Sequence, residues 1–156
     1  MTSEVFTYAL ALIAQPEAKI NFQAAQEITA HVVRVEKKYQ LPPMLLLAVV
    51  LIESGGRKNI VGYGRPRGRN GCDVGAAQIH VRECNKERMR RMLLLSANLD
   101  EAGRLLAGSR SKCGKHPSWR PCWRGKWSLY NADSEGWPRR LDDAWERLRR
   151  WHGPNI

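Results

Sequence analysis

The sequence has no long apolar run, and this absence excludes a helical membrane span. Its longest uninterrupted apolar segment, Met44 to Ile52, has nine residues, whereas a helix needs about 20 to cross a bilayer. The apolar run from Val5 to Ala14 follows Glu4, without the Lys or Arg that opens an export signal. We therefore expect an amphipathic N-terminal helix and a soluble, globular protein made in the cytoplasm without an evident signal peptide.

Three common kinds of reaction centre have no signature in the sequence. The four histidines show no ligand spacing with the acidic residues or cysteines, and the cysteine spacings match no zinc pattern. No phosphate-binding glycine loop precedes a Lys-Ser or Lys-Thr pair, and Ser54 stands in no nucleophile-elbow motif. We therefore expect neither a metal nor a cofactor.

Acidic residues are scarce, with 15 Asp and Glu against 26 Lys and Arg, so the net charge is +11. The excess is concentrated in residues 57–126, which hold 17 basic and 5 acidic groups, a net charge of +12. Such a block attracts a polyanion. Nucleic acid, an anionic membrane and a charged cell-wall polymer all remain open as partners.

The four cysteines all lie in this basic block, at Cys72, Cys84, Cys113 and Cys122. Two interpretations remain open, namely two disulfides formed in an oxidising compartment and four buried thiols. If disulfides form, the short spacing favours a local bridge between Cys113 and Cys122.

The apolar pattern predicts a single, mainly α-helical domain spanning residues 1–156. The central helix, apolar on every side, should be buried between Pro43 and a stop at Gly55. We expect N-terminal helices within residues 1–40, a loop or small β-hairpin over 57–74, and a C-terminal helix over 138–151. The remaining predicted helices cover residues 17–39, a short segment from Gly75, 85–95 and 99–107, and the C-terminal helix should bury Leu141, Trp145, Leu148 and Trp151 on one face.

Glu53 ends the most apolar stretch of the chain and is the only ionisable residue between Gln40 and Arg57. Partial burial and the negative end of the helix dipole should both raise the pKa of its carboxyl group. A raised pKa suits a general acid. The alternative is that Glu53 marks the place where a buried helix reaches solvent.

Three segments in order resemble the motifs of the lytic transglycosylase family. Glu53-Ser54-Gly55 resembles its first motif, Asp73 to Ile79 its second, which usually ends in Gly-Leu-Met-Gln-Ile, and Leu129 to Asp133 its third, Ala-Tyr-Asn-Ala-Gly. The resemblance covers roughly residues 40–135. It implies the goose-type lysozyme-like fold and is closest to the short members found in phages and secretion systems.

By this resemblance Glu53 is the single catalytic acid and base that cleaves the β-1,4 bond between N-acetylmuramic acid and N-acetylglucosamine, leaving a 1,6-anhydro product. Ser54, Gln78, Tyr130 and Asn131 are the implied substrate-binding residues. Their hydroxyl and amide groups suit acetamido sugars. Ala76-Ala77 departs from the usual Leu-Met, and Asp133 stands where the family has glycine.

Two other functions remain open. A hydrolytic muramidase needs a second carboxylate, for which Asp73 is the best candidate, although a residue there could instead satisfy free amides at a helix N-terminus. A basic nucleic-acid-binding module would explain the positive block but not the motifs.

The expected partners are peptidoglycan glycan strands and anionic envelope polymers, with no specific nucleic acid. The expected site of action is the periplasm or cell wall, reached with the help of a holin or of a secretion system.

Overall fold

The computed structural model describes residues 1–63, 70–114, 118–123 and 136–152, and helices account for most of them. The α-helices of these segments are α1 (Ser3–Ile13), α2 (Phe22–Tyr39), α3 (Leu45–Ser54), α4 (Lys86–Met92), α5 (Leu95–Cys113) and α6 (Trp137–Arg149). Two 3-10 turns, Arg120–Trp123 and Arg150–His152, flank α6 in the chain. The mainly α prediction is therefore confirmed.

A small antiparallel sheet follows the central helix. Its strands are β1 (Val61–Tyr63), β2 (Gly71–Val74) and β3 (Ile79–Arg82), in the order β1-β2-β3. The predicted small β-hairpin over residues 57–74 is confirmed. The prediction of a short helix from Gly75 is wrong, because residues 75–78 form the turn between β2 and its antiparallel partner β3.

The core surrounds α3, whose residues from Leu45 to Leu51 are all buried. Helix α2 packs on α1 and α5, and α3 packs on α6. The predicted stop at Gly55 is confirmed, since Gly55 takes the left-handed conformation with φ 61° and its N–H bonds the carbonyl of Leu51. An all-round apolar sequence has thus produced a helix enclosed by the others.

Helix α2 begins later than predicted. Its first residue is Phe22, because Asn21 adopts an extended conformation and its side chain accepts a hydrogen bond from the N–H of Ala24. Asn is a strong N-cap. Residues 14–21 therefore form the segment between α1 and α2 and are not part of a helix.

The N-terminal end of α3 is capped by a residue of another helix. Met44 provides no side-chain cap, but the buried carboxylate of Glu36 in α2 accepts hydrogen bonds from the N–H groups of Met44 (3.1 Å) and Leu46 (2.9 Å). The hydroxyl of Tyr8 donates a further bond to Glu36 (2.8 Å). Burial is the main cause that raises the pKa of Glu36, to about 8.

The C-terminal helix agrees with its predicted range to within two residues. Leu141, Trp145 and Leu148 are buried as expected. The expectation for Trp151 is wrong, because the helix ends before it and its side chain is 45% exposed.

All four cysteines form disulfides. Cys72 in β2 is bonded to Cys84, just beyond β3, and Cys113 at the end of α5 is bonded to Cys122. The interpretation with two disulfides is therefore confirmed and the one with four buried thiols is wrong. The predicted local bridge between Cys113 and Cys122 is also confirmed.

Candidate active site

Glu53 lies in the last turn of α3, where the buried helix reaches the surface. Its side chain is half-buried. The indole N–H of Trp137, the first residue of α6, donates a hydrogen bond to Oε1 of Glu53. Since α3 packs on α6, the position of this carboxyl group depends on contact between two distant parts of the chain.

Ser54 is buried and holds the end of the same helix. Its hydroxyl donates to the carbonyl of Val50 (3.1 Å) and accepts from the N–H of Gly56 (3.2 Å). The first bond ties the hydroxyl to the preceding turn of the helix, and the second pairs an N–H just beyond its end. The geometry therefore gives Ser54 a structural task beside Glu53, while its expected contact with substrate stays a prediction.

The two glycines after Ser54 permit a close backbone approach. A Cβ on Gly55 would lie 2.4 Å from the carbonyl oxygen of Glu17, and one on Gly56 would lie 2.6 Å from Ile20. The N–H of Lys19 donates to the carbonyl of Gly55 (2.8 Å). The segment between α1 and α2 is thereby fixed against the end of the helix that carries Glu53.

A cavity of about 830 Å³ opens between this segment, the end of α3 and α6. Its volume lies within the range of ligand sites. Its lining residues are Pro16, Glu17, Lys19, Leu51, Ile52, Glu53, Ser54, Gly55, Arg57, Arg140, Asp143 and Arg147.

Charged side chains make up most of the polar lining. Glu17 and Arg147 form a two-pronged ion pair, with Nη1 of Arg147 3.1 Å from Oε2 of Glu17. The hydrogen bond from Arg147 is the main cause that lowers the pKa of Glu17. Lys19, Arg57 and Arg140 line the same cavity as Glu53 and add positive charge to it, so the cavity suits a polar ligand that carries acceptor groups.

Gln78 lies in the turn between β2 and β3, with φ 49°. Its amide nitrogen donates to the carbonyls of Gly75 (2.9 Å) and Ile60 (3.3 Å). Gln78 is not among the described residues that line the cavity. The structure thus ties its amide to the backbone and leaves its expected role in substrate binding a prediction.

Asp73 lies on β2, directly opposite His80 on β3. Its Oδ1 is 3.0 Å from Nδ1 of the histidine. The expectation that Asp73 caps a helix is therefore wrong, because the residue is in a strand. Asp73 is not among the described residues that line the cavity beside Glu53, and its role as a second carboxylate stays a prediction.

Tyr130 and Asn131, the other two implied substrate-binding residues, lie outside the residues that the structure describes. The departure from the family pattern at Asp133 lies outside them as well.

Asn98 in α5 is a residue whose role the sequence reasoning missed. Its buried amide donates to the carbonyls of Val74 (2.7 Å) and Met92 (3.0 Å) and accepts from the N–H of Ala77 (2.8 Å). It thereby holds the turn that carries Gln78 against α5. A polar residue between Leu95 and Leu99 was the available signal.

Trp137 and Glu36 were also missed. Glu36 continues the apolar series Ile28 and Val32 at steps of four, which places it on the buried face of α2. No local pattern marks Trp137, because its partner Glu53 lies 84 residues away in the chain.

Within the described segments, no group of three or more His, Cys, Asp and Glu side chains is placed to hold a metal ion. The same segments contain no helix that is both long and apolar enough to cross a membrane.

No family model, curated protein or solved structure gives a significant match to the chain.

Proposed function

We propose that this protein cleaves peptidoglycan as a lytic transglycosylase with a lysozyme-like fold. The observation that carries the proposal is the half-buried carboxyl group of Glu53, placed at the end of a buried helix and on the wall of a cavity of about 830 Å³. A single carboxyl group in such a place can both donate and accept a proton. The substrate is inferred from the resemblance of the three sequence motifs to those of the lytic transglycosylase family.

In the proposed reaction, Glu53 protonates the glycosidic oxygen between N-acetylmuramic acid and N-acetylglucosamine, and the bond from C1 to that oxygen breaks. The carboxylate then takes the proton of the muramoyl 6-hydroxyl, whose oxygen bonds to C1 and closes the 1,6-anhydro ring. Glu53 ends in its starting state. No water molecule is consumed, so no second carboxylate is required.

Two further features support action on a bacterial wall. Disulfides such as Cys72–Cys84 and Cys113–Cys122 persist in oxidising compartments such as the periplasm. The net charge of +11 favours contact with anionic envelope polymers. Within this proposal the protein is a phage endolysin aided by a holin, or a wall enzyme of a secretion system, and Gln78, Tyr130 and Asn131 bind the sugar.

The test is mass spectrometry of the muropeptides released from purified peptidoglycan by the wild type and by Glu53→Gln. Glu27→Gln is the control, because it removes the same charge from an exposed residue that pairs with Lys58. We expect 1,6-anhydromuramic acid ends from the wild type and from the control, and none from Glu53→Gln.

Reducing ends in place of anhydro ends would show a hydrolytic muramidase, and Asp73→Asn would then test for the second carboxylate. If folded wild type released nothing, the proposal would fall. Salt-dependent DNA binding with a sequence preference would then favour the nucleic-acid-binding module.

A further inference from the structure

Trp137 occupies a position that couples the start of α6 to the end of α3. Its side chain is completely buried, with 0% exposure, and Pro138 in the first turn of α6 restricts the backbone beside it. Its indole N–H donates to Oε1 of Glu53. A buried ring has little rotational freedom, so this N–H points at the carboxyl group in one fixed direction.

The indole group is a donor only. Oε1 must therefore accept this hydrogen bond whether Glu53 is charged or neutral. In a neutral carboxylic acid the carbonyl oxygen is the better acceptor, and the proton is carried by the other oxygen. Oε1 can therefore keep its contact with Trp137 in both protonation states, and the contact can hold the orientation of Glu53 throughout the proposed reaction.

We propose that Trp137 is the positioning residue of the catalytic acid: its indole N–H holds the carboxyl group of Glu53 in one orientation. This inference rests on the proposed function. It adds to that function a residue outside the three motifs.

The chain offers two matched controls. Trp123 and Trp145 are also buried, and their indole N–H groups donate to Oδ1 of Asp142 (3.1 Å) and to the carbonyl of Pro43 (2.9 Å). Replacement of either ring by phenylalanine removes a hydrogen bond of the same kind, from a position that does not bond Glu53.

In the kinetic experiment, Trp137→Phe is compared with Trp123→Phe and Trp145→Phe on solubilised glycan strands, with rates corrected for the folded fraction. We expect kcat to fall at least tenfold in Trp137→Phe with KM changed less than twofold. A hydrogen bond to the carboxylate favours the charged form, so its loss should move the alkaline limb of the pH profile to higher pH. In both control variants kcat should stay within twofold of the wild type, and the alkaline limb of the pH profile should not move.

An NMR titration tests the contact without any activity. In protein labelled with ¹⁵N-tryptophan, the indole resonance of Trp137, assigned by nuclear Overhauser contacts, should shift with pH in one step. This step should be absent in Glu53→Gln. The measurement uses an intact Trp137, so it remains decisive if Trp137→Phe does not fold.

The outcomes separate the two proposals. An active wild type in which Trp137→Phe behaves like both controls would overturn the positioning role. An inactive wild type would overturn the proposed function and with it the catalytic meaning of the contact. An indole resonance that is insensitive to Glu53→Gln would overturn the contact itself.

Discussion

A glutamate stands at each end of α3, and the two differ in burial and in the groups that bond them. At the N-terminal end Glu36 is 4% exposed and accepts hydrogen bonds from the backbone of the helix and from Tyr8. At the C-terminal end Glu53 is half-buried, lies on the wall of a cavity and accepts a bond from Trp137. The N-terminal end of α3 thus meets a sealed carboxyl group that belongs to α2, and its C-terminal end carries an accessible one of its own.

The helix itself accounts for much of this difference. Its N-terminus carries free N–H groups and partial positive charge, which suit a carboxylate, whereas its C-terminus carries free carbonyls and partial negative charge. Glu36 therefore supplies acceptors for N–H groups at the start of the helix. The last turn of the helix presents carbonyls to Glu53, and the indole donor that holds Glu53 comes from α6.

The largest expected effect separates the two glutamates by activity. Glu53→Gln should lower the rate of peptidoglycan cleavage by about 10²–10⁴-fold, the usual contribution of a general acid and base, with little change in the unfolding midpoint. Glu36→Gln should keep the specific activity of the folded fraction, because Glu36 does not line the cavity. Rates and denaturant unfolding curves of both variants measure this. Equal losses of activity would remove the functional distinction between the two ends.

The next effect is the pH dependence of stability. Because burial raises the pKa of Glu36 from 4.5 to about 8, the folded state retains a proton that the unfolded chain has lost between these values. The contribution of Glu36 to the free energy of unfolding should therefore be highest below pH 4.5. It should fall by about 1.4 kcal/mol per pH unit as the pH rises towards 8.

Urea unfolding from pH 4 to pH 9 checks this. Other groups titrate in the same range, so the quantity to compare is the difference between wild type and Glu36→Gln, with Glu27→Gln at an exposed residue as the control. Only Glu36→Gln should lose the falling component. A parallel profile in all three proteins would contradict the assignment.

The smallest effect concerns the partner of Glu36. Tyr8→Phe keeps the buried ring and removes the hydroxyl that bonds Glu36 (2.8 Å) and the N–H of Met44 (3.1 Å). We expect a loss of about 0.5–1.5 kcal/mol in the free energy of unfolding and no change in cleavage products. Thermal unfolding and the muropeptide assay measure these. An altered product spectrum would mean that the contacts of Glu36, at the N-terminal end of α3, influence the site at Glu53.

Local sequence patterns predicted the elements that depend on local physics. The continuous apolar run gave a buried helix, and Gly55 ended it because glycine adopts a left-handed conformation at little cost. Glu53 was singled out by its position alone. The turn at Gly75 was mistaken for a helix start, since pairing of β2 with β3 is a nonlocal interaction that no short window contains.

By itself, the sequence determined a mainly helical chain, a basic central block, a buried central helix and an acid at its end. Only the tertiary structure decided that Cys72 is bonded to Cys84, that Asn98 holds the turn around Gln78, that Glu36 caps α3, and that Trp137 bonds Glu53. The physical reason is the same in each case. Periodicity and capping act within a few residues, whereas these bonds join residues whose separation in the chain carries no information about their separation in space.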